Sequence, residues 1–218
     1  MENNYNKVRV YILDISNKPY DPDKLSLLEP ARRKNIEESK NYLYKLRAMY
    51  AGLLLRHALR CEGAELPAVL DVKYTEYGKP YVEGGKHFSI THSGNLVMVA
   101  VADFEIGLDA EIKQNKVYTH IADRILSERE YSEYSAVVGA AKSEYFLSKW
   151  VVKESYLKCL GTGIRKYPAD VEVYEDNVNG YPYVSDFLNY RNYSYYVALT
   201  AKQAVSVEPV YVATLKAL

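Results

Sequence analysis

Cysteine is scarce: Cys61 and Cys159 are the only two in 218 residues, far apart and outside any Cys-x-x-Cys spacing. They indicate neither a disulfide framework nor a zinc site, and a reduced, cytoplasmic setting is expected. Net charge is lacking too. Lys plus Arg and Asp plus Glu number 28 each, so no overall field draws the chain to nucleic acid or to an anionic membrane. The longest apolar runs, such as Asn95-Leu-Val-Met-Val-Ala-Val101, are strand-length and far too short to span a bilayer. The first residues, Met-Glu-Asn-Asn-Tyr, lack the basic start and apolar core of a secretion signal. There is no His-Glu-x-x-His, and Gly84-Gly-Lys86 lacks the spacing and the following Ser/Thr of a triphosphate loop. Phenylalanine is rare (4) beside tyrosine (23), whose apolar ring and polar tip suit half-buried faces.

What is present is a chain long enough for one large domain or two small ones, with a sizeable core. Its most informative stretch is Phe146-Leu-Ser-Lys-Trp-Val-Val-Lys-Glu-Ser-Tyr-Leu-Lys158. At 100° per residue it forms a helix with Phe146, Trp150 and Leu157 on one side and Leu147 and Val151 close by. Glu154 falls inside that apolar arc. A carboxylate there must be paired, protonated or bound to a cation. A structural pair with Lys158, one turn on, is the simplest alternative.

A second acidic feature is Ile106-Gly-Leu-Asp-Ala-Glu-Ile112, which alternates as a strand. Ile106, Leu108, Ala110 and Ile112 face a core, while Gly107, Asp109 and Glu111 face the other way. The two carboxylates lie roughly 7 Å apart on that face. By itself this describes an ordinary solvent-facing strand. Gly107 leaves room for close approach of a ligand. Joined by Glu154, the oxygen-rich set suits a hard cation such as Mg²⁺, which keeps waters and shares positions with substrate phosphates.

The remaining pattern is mixed. Val8–Leu13 reads as a strand and about Pro30 to Arg60 as one long helix, basic at its start. Short strands surround Tyr77-Gly-Lys-Pro80, and Leu96–Val101 is a further strand. A helix is expected from about Val117 to Ile125, and Ser127-Glu-Arg-Glu130 has the form of a capping box. The Glu154 helix, from about Lys142 to Leu160, stops at Gly161-Thr-Gly163. Strands are expected at Val171–Tyr174, Tyr193–Thr200 and Val207–Val212. Helices and strands recur without strict βαβ alternation, so the class is α+β.

Three motifs in this order resemble the 4′-phosphopantetheinyl transferase superfamily. They are Gly78-Lys-Pro80 followed by Phe88-Ser-Ile-Thr-His-Ser-Gly94, then Ile106-Gly-Leu-Asp-Ala-Glu111, then Phe146-x3-Trp-x2-Lys-Glu-Ser-x2-Lys158. The resemblance covers nearly the whole chain, including the basic Pro30–Arg56 stretch. Length and layout resemble the larger, monomeric type that activates peptide and polyketide synthases.

The resemblance implies a pseudo-symmetric fold of two halves, residues 1–104 and 105–218, each a small sheet packed with a long helix. It implies transfer of phosphopantetheine from coenzyme A to a serine of an acyl or peptidyl carrier protein, releasing adenosine 3′,5′-bisphosphate. Asp109 and Glu111 would be Mg²⁺ ligands, Glu154 a third ligand or the base, and Lys158 the holder of the pyrophosphate. Thr91 and His92 would contact coenzyme A phosphates and Lys79 its adenosine end. Arg32 and Arg47 would serve the 3′-phosphate and adenine region. Ile112–His120 and the following helix would read the carrier. Ser89 stands where the family has asparagine, losing an amide. A non-catalytic module binding coenzyme A or a carrier protein is the alternative. Without the resemblance, His92 satisfies a turn, Lys79 is a turn residue, and Arg32 belongs to a solvated helix start.

Overall fold

The computed structural model describes residues 6–114, 118–163 and 167–215. Strand β1 (Asn6–Asp14) leads through a 3₁₀ turn to helices α1 (Pro30–Glu38) and α2 (Tyr42–Cys61). A small hairpin, β2 (Lys73–Tyr74) and β3 (Pro80–Tyr81), precedes β4 (His87–Ser93), β5 (Leu96–Ala102) and β6 (Ile106–Ile112). Helices α3 (Thr119–Ile125), α4 (Glu128–Ala136) and α5 (Ala140–Leu160) follow. The chain closes with β7 (Asn177–Val178), β8 (Tyr181–Tyr190), β9 (Tyr193–Ala201) and β10 (Val205–Tyr211).

Two four-stranded sheets result, ordered β10-β1-β5-β4 and β6-β9-β8-β7. The first is antiparallel except that β10 runs parallel to β1. A division after residue 104 therefore separates the two sheets save for this last strand. Side-chain alternation arranges four layers. Tyr11, Leu13, Val97, Val99 and Val101 meet Met49, Leu53 and Leu54 of α2. Val10, Ile12, Met98 and Ala100 meet Ile106, Leu108, Tyr195 and Leu199 of the second sheet. The far face of that sheet, including Ala198, carries Val151, Val152 and Tyr156 of α5. Buried on both faces, β5 reads Leu-Val-Met-Val-Ala-Val-Ala, an unbroken apolar run. The expected α+β class, with a long helix on each sheet, is observed.

Three expectations change. The single helix over residues 30–60 is two, because the Asn41 side chain accepts from Tyr44 N (3.0 Å) and starts α2 afresh. Val171–Tyr174 contributes only an isolated bridge, Val173 to Val178. The strand that pattern reading missed is β8, further along the chain, whose half-exposed alternation and Pro182 hid it. The helix expected from about Val117 begins at Thr119; Val117 lies outside the described residues.

Helix α5 is held by an ion pair with no solvent contact on either side. Lys153 Nζ donates to Glu130 Oε2 (2.6 Å), Ile125 O (2.8 Å) and Pro168 O (2.9 Å), using all three donors. Glu130 in turn accepts from Ser127 N (3.0 Å), closing the expected capping box, and from Val173 N (2.9 Å). These bonds tie α5 to α4, the end of α3 and the loop after α5. The orientation of Glu154, next in sequence, follows from them.

Candidate active site

The two sheets meet edge to edge where β4 lies beside β6. No backbone ladder joins these strands; side-chain hydroxyls do. Ser89, Thr91 and Ser93 project from β4 at a period of two and are almost fully buried. Ser89 Oγ accepts from Leu108 N (2.9 Å) and Ser93 Oγ from Ile112 N (2.9 Å). Thr91 Oγ1 donates to Asp109 Oδ1 (3.0 Å) and Ser93 Oγ to Glu111 Oε2 (2.7 Å). The first sheet thus orients the carboxylates of the second. Ser89 holds no turn; it satisfies an otherwise unpaired strand amide, a job a hydroxyl does without the amide it replaces.

Helix α5 approaches the other side of β6 closely. A Cβ on Gly107 would lie 1.9 Å from Ser155 O and 2.3 Å from Cys159 N. The room expected there for a ligand is filled by helix backbone, so Gly107 serves helix–strand packing. That approach places Lys158 over β6. Its Nζ donates to Asp109 Oδ1 (2.6 Å) and Leu108 O (3.2 Å). Glu154 makes no hydrogen bond among the described residues, so the alternative Glu154–Lys158 pair is not formed.

Two adjoining cavities lie over this seam, between α2 and α5, and share Pro80, Ile90 and Lys158. One, about 410 Å³, is walled by Arg32, Tyr44, Thr91, His92, Asp109 and Glu111. The other, about 230 Å³, is walled by Tyr77, Lys79, Phe88, Leu157, Gly161 and Glu154. Three carboxylates therefore face one lysine. Burial, then the charge on Asp109, pushes Glu154 up to about 7. Glu111 is raised as well, chiefly by burial, against the lowering effect of the Ser93 hydroxyl. Although His92 reaches solvent, the surrounding walls and then Arg47 hold its imidazole below the ordinary value, so it is neutral at pH 7.

Among the described residues, no three acidic, histidine or cysteine side chains already converge on a single metal position. Lys158 covers Asp109 and Ser93 holds Glu111. The donor chemistry nevertheless fits a hard cation: the candidates are all carboxylates, and their mutual repulsion exceeds what one ammonium offsets.

The structure brings together eight of the nine residues singled out in the sequence: Arg32, Lys79, Thr91, His92, Asp109, Glu111, Glu154 and Lys158. Lys79 has a further task, donating to Cys159 O (2.8 Å) at the C-terminus of α5. Gly161, at φ 70°, both ends the helix and admits the Lys79 side chain, whose Cδ would lie 2.8 Å from an added Cβ. Arg47 is the exception. Its Nε and Nη2 both donate to Gly94 O (3.1 and 2.6 Å), bracing the β4–β5 turn, and it lines neither cavity. Sequence reading passed over Ser93 and Tyr44, although the Ser-x-Thr-x-Ser alternation was the available signal for the first.

Residues 105–208 match the family model described as the 4′-phosphopantetheinyl transferase superfamily. A 4′-phosphopantetheinyl transferase of Bacillus subtilis is 35% identical over 120 residues, 54% of this chain and 53% of the relative. The Bacillus subtilis enzyme Sfp is 37% identical over 98 residues, 43% of each chain. This chain spans about half the length of the curated relatives it matches. A solved holo-(acyl-carrier-protein) synthase from Bacillus anthracis, in complex with coenzyme A, covers 45% of this chain and 96% of its own. Its 21% identity and TM-score of 0.36 are too slight to bear on fold or ligand. With Sfp-like proteins among its relatives and the family model lying over β6, α5 and β9, the chain's resemblance to the 4′-phosphopantetheinyl transferase superfamily is borne out.

Proposed function

We propose that this chain transfers 4′-phosphopantetheine from coenzyme A to a serine hydroxyl of an acyl or peptidyl carrier protein, releasing adenosine 3′,5′-bisphosphate. The observation that carries the reading is geometric: Asp109, Glu111, Glu154 and Lys158 gather at one seam, and Glu154, with no hydrogen bond among the described residues, is raised by burial to about 7. A general base is most effective when its pKa lies near the working pH. In the reaction the serine oxygen bonds to the β-phosphorus and the bond to the bisphosphate breaks. The serine proton passes to a carboxylate, and the raised, unpaired Glu154 supports its candidacy for that role.

Negative charge develops on the non-bridging oxygens and on the leaving bisphosphate. Lys158, anchored on Asp109, is the ammonium available to meet it. Asp109 and Glu111 would hold Mg²⁺, with Glu154 as the alternative third ligand where it is not the base, and the ion would supply Lewis-acid stabilisation of phosphate charge. Thr91 and Ser93 keep two of those carboxylates in place. Neutral His92 donates one ring N–H to a phosphate oxygen, and Arg32 supplies a full charge from across the cavity.

The test is intact-mass measurement of several apo carrier proteins after incubation with the protein, coenzyme A and Mg²⁺. A phosphopantetheine mass gain is expected, abolished by EDTA and by Asp109→Ala. Coenzyme A binding without mass gain on any carrier would instead support a non-catalytic module. The absence of both binding and mass gain would refute the reading.

A further inference from the structure

Arg32 differs from the other basic residues near the cleft in how its fork is committed. Arg47 spends Nε and Nη2 on Gly94 O, and Arg33 spends its own on the carbonyls of Leu25, Ser26 and Leu28. Arg32 donates only Nε, to Glu29 Oε1 at 2.7 Å. Its two terminal amino groups make no hydrogen bond among the described residues, and Arg32 is one of the residues lining the larger cavity. Glu29 is itself buried at 3% exposure, and the same Oε1 accepts from Tyr74 Oη at 3.3 Å. A buried carboxylate so shared has one orientation, and it fixes the guanidinium plane.

A second observation, on another element, points to the same side chain. Gly52 sits in the middle of α2, where glycine costs roughly 1 kcal/mol relative to alanine. A Cβ there would lie 3.0 Å from Arg32 Cδ and 3.2 Å from Arg32 Nε, besides 2.7 Å from Leu28 Cδ2. The Arg32 stem thus crosses α2 at the one residue that gives it clearance. The Tyr74 hairpin, which also carries Lys79 and Pro80, is locked to the same carboxylate.

We propose that Glu29 and Gly52 are positioning residues that seat Arg32 so that its free fork grips a terminal phosphate monoester of the nucleotide substrate, the 3′-phosphate of coenzyme A. The inference rests on the functional reading above. A dianionic monoester offers two oxygens to a planar fork, the geometry in which arginine outperforms lysine. Glu29 takes Nε and leaves Nη1 and Nη2 uncommitted. Lys158, at the junction of the two cavities, is left to the pyrophosphate.

Calorimetric titration with coenzyme A and with its 3′-dephospho form tests the seat. Wild type is expected to prefer coenzyme A, and Arg32→Ala to lose that preference. Glu29→Ala should weaken coenzyme A about tenfold, the worth of one well-placed charged hydrogen bond, while barely affecting the dephospho form. Glu29→Gln, whose amide oxygen still accepts from Nε, should keep most of the preference, which guards against misfolding of the alanine variant. Gly52→Ala, whose methyl would crowd the Arg32 stem, should reduce the preference for coenzyme A while leaving binding of the dephospho form unchanged. Glu29→Ala should add nothing in an Arg32→Ala background. Equal losses for both ligands, or additivity with Arg32→Ala, would overturn the seat. Failure of wild type to bind coenzyme A at all would overturn the functional reading, and the seat with it.

Discussion

The two halves of the molecule follow one plan and divide the chemistry unequally. Each lays a long helix, α2 or α5, on a four-stranded sheet. Each helix also buries a cation. In α5 it is Lys153, with every donor satisfied and a carboxylate partner of equal burial. In α2 it is Arg56, at 2% exposure, whose Nη2 reaches Pro67 O (3.2 Å) while Nε and Nη1 have no partner among the described residues. At the seam the first half offers hydroxyls and an arginine; the second offers carboxylates and a lysine. The repeat supplies a frame, and the half with the satisfied buried pair is the one that aims Glu154.

The sharpest way to break this comparison is to remove the two buried cations. Lys153→Ala strands Glu130 without a counter-charge and should cost about 3–5 kcal/mol. Arg56→Met should be close to neutral or stabilising, since a poorly satisfied buried charge gives way to an apolar chain. Urea denaturation midpoints check both, and equal losses would erase the distinction.

Next in size is Gly107→Ala. A methyl at 1.9 Å from Ser155 O forces α5 away from β6. The expected cost is about 1–3 kcal/mol, with the proposed transfer activity falling further because Lys158 moves off Asp109 and Glu154 shifts with the helix. Retained activity would show that the close approach is not what sets the site. Ser89→Ala should cost about 1–2 kcal/mol by leaving the Leu108 amide buried and unpaired, whereas Ser89→Asn should recover part of it. Thermal or urea melts read that difference.

The pH dependence has a defined sign. The carboxyl of Glu154 is raised from 4.5 to about 7, so the metal-free folded state binds a proton more tightly than the unfolded state. Its stabilising contribution is full below about 4.5 and is lost as pH rises through about 7. Cation binding demands the ionised form. The melting-temperature gain from added Mg²⁺ should therefore grow between pH 6 and pH 8, and a Glu154→Gln variant should lose that growth. A gain independent of pH in the wild type would remove Glu154 from the metal's surroundings.

The sequence made the charged half more legible than the frame. Asp109 and Glu111 read as an ordinary strand face until the resemblance joined them, with Lys158, to Glu154. Glu154 itself stood out because a carboxylate within an apolar arc needs an explanation. Such a conflict is visible without coordinates. The capping box at Ser127 and the glycine stop at Gly161 were legible for the same local reason. What escaped depends on contacts remote in sequence. Gly107 looked like ligand space until α5 was seen to fill it, and Arg47 looked like a phosphate binder until Gly94 O claimed it. Strand β8 gave no signal because its faces are both half-exposed. The return of β10 to the first sheet is a property of topology, which periodicity does not encode.

Electron spin resonance titration of Mn²⁺, used in place of Mg²⁺ with coenzyme A present, tests the central claim most directly. One bound equivalent is expected at pH 8. It should be lost in Asp109→Ala and weakened as pH falls through about 7. Full-strength binding in Asp109→Ala, or no binding in the wild type, would contradict the assignment of the second half as the cation-holding side of the seam.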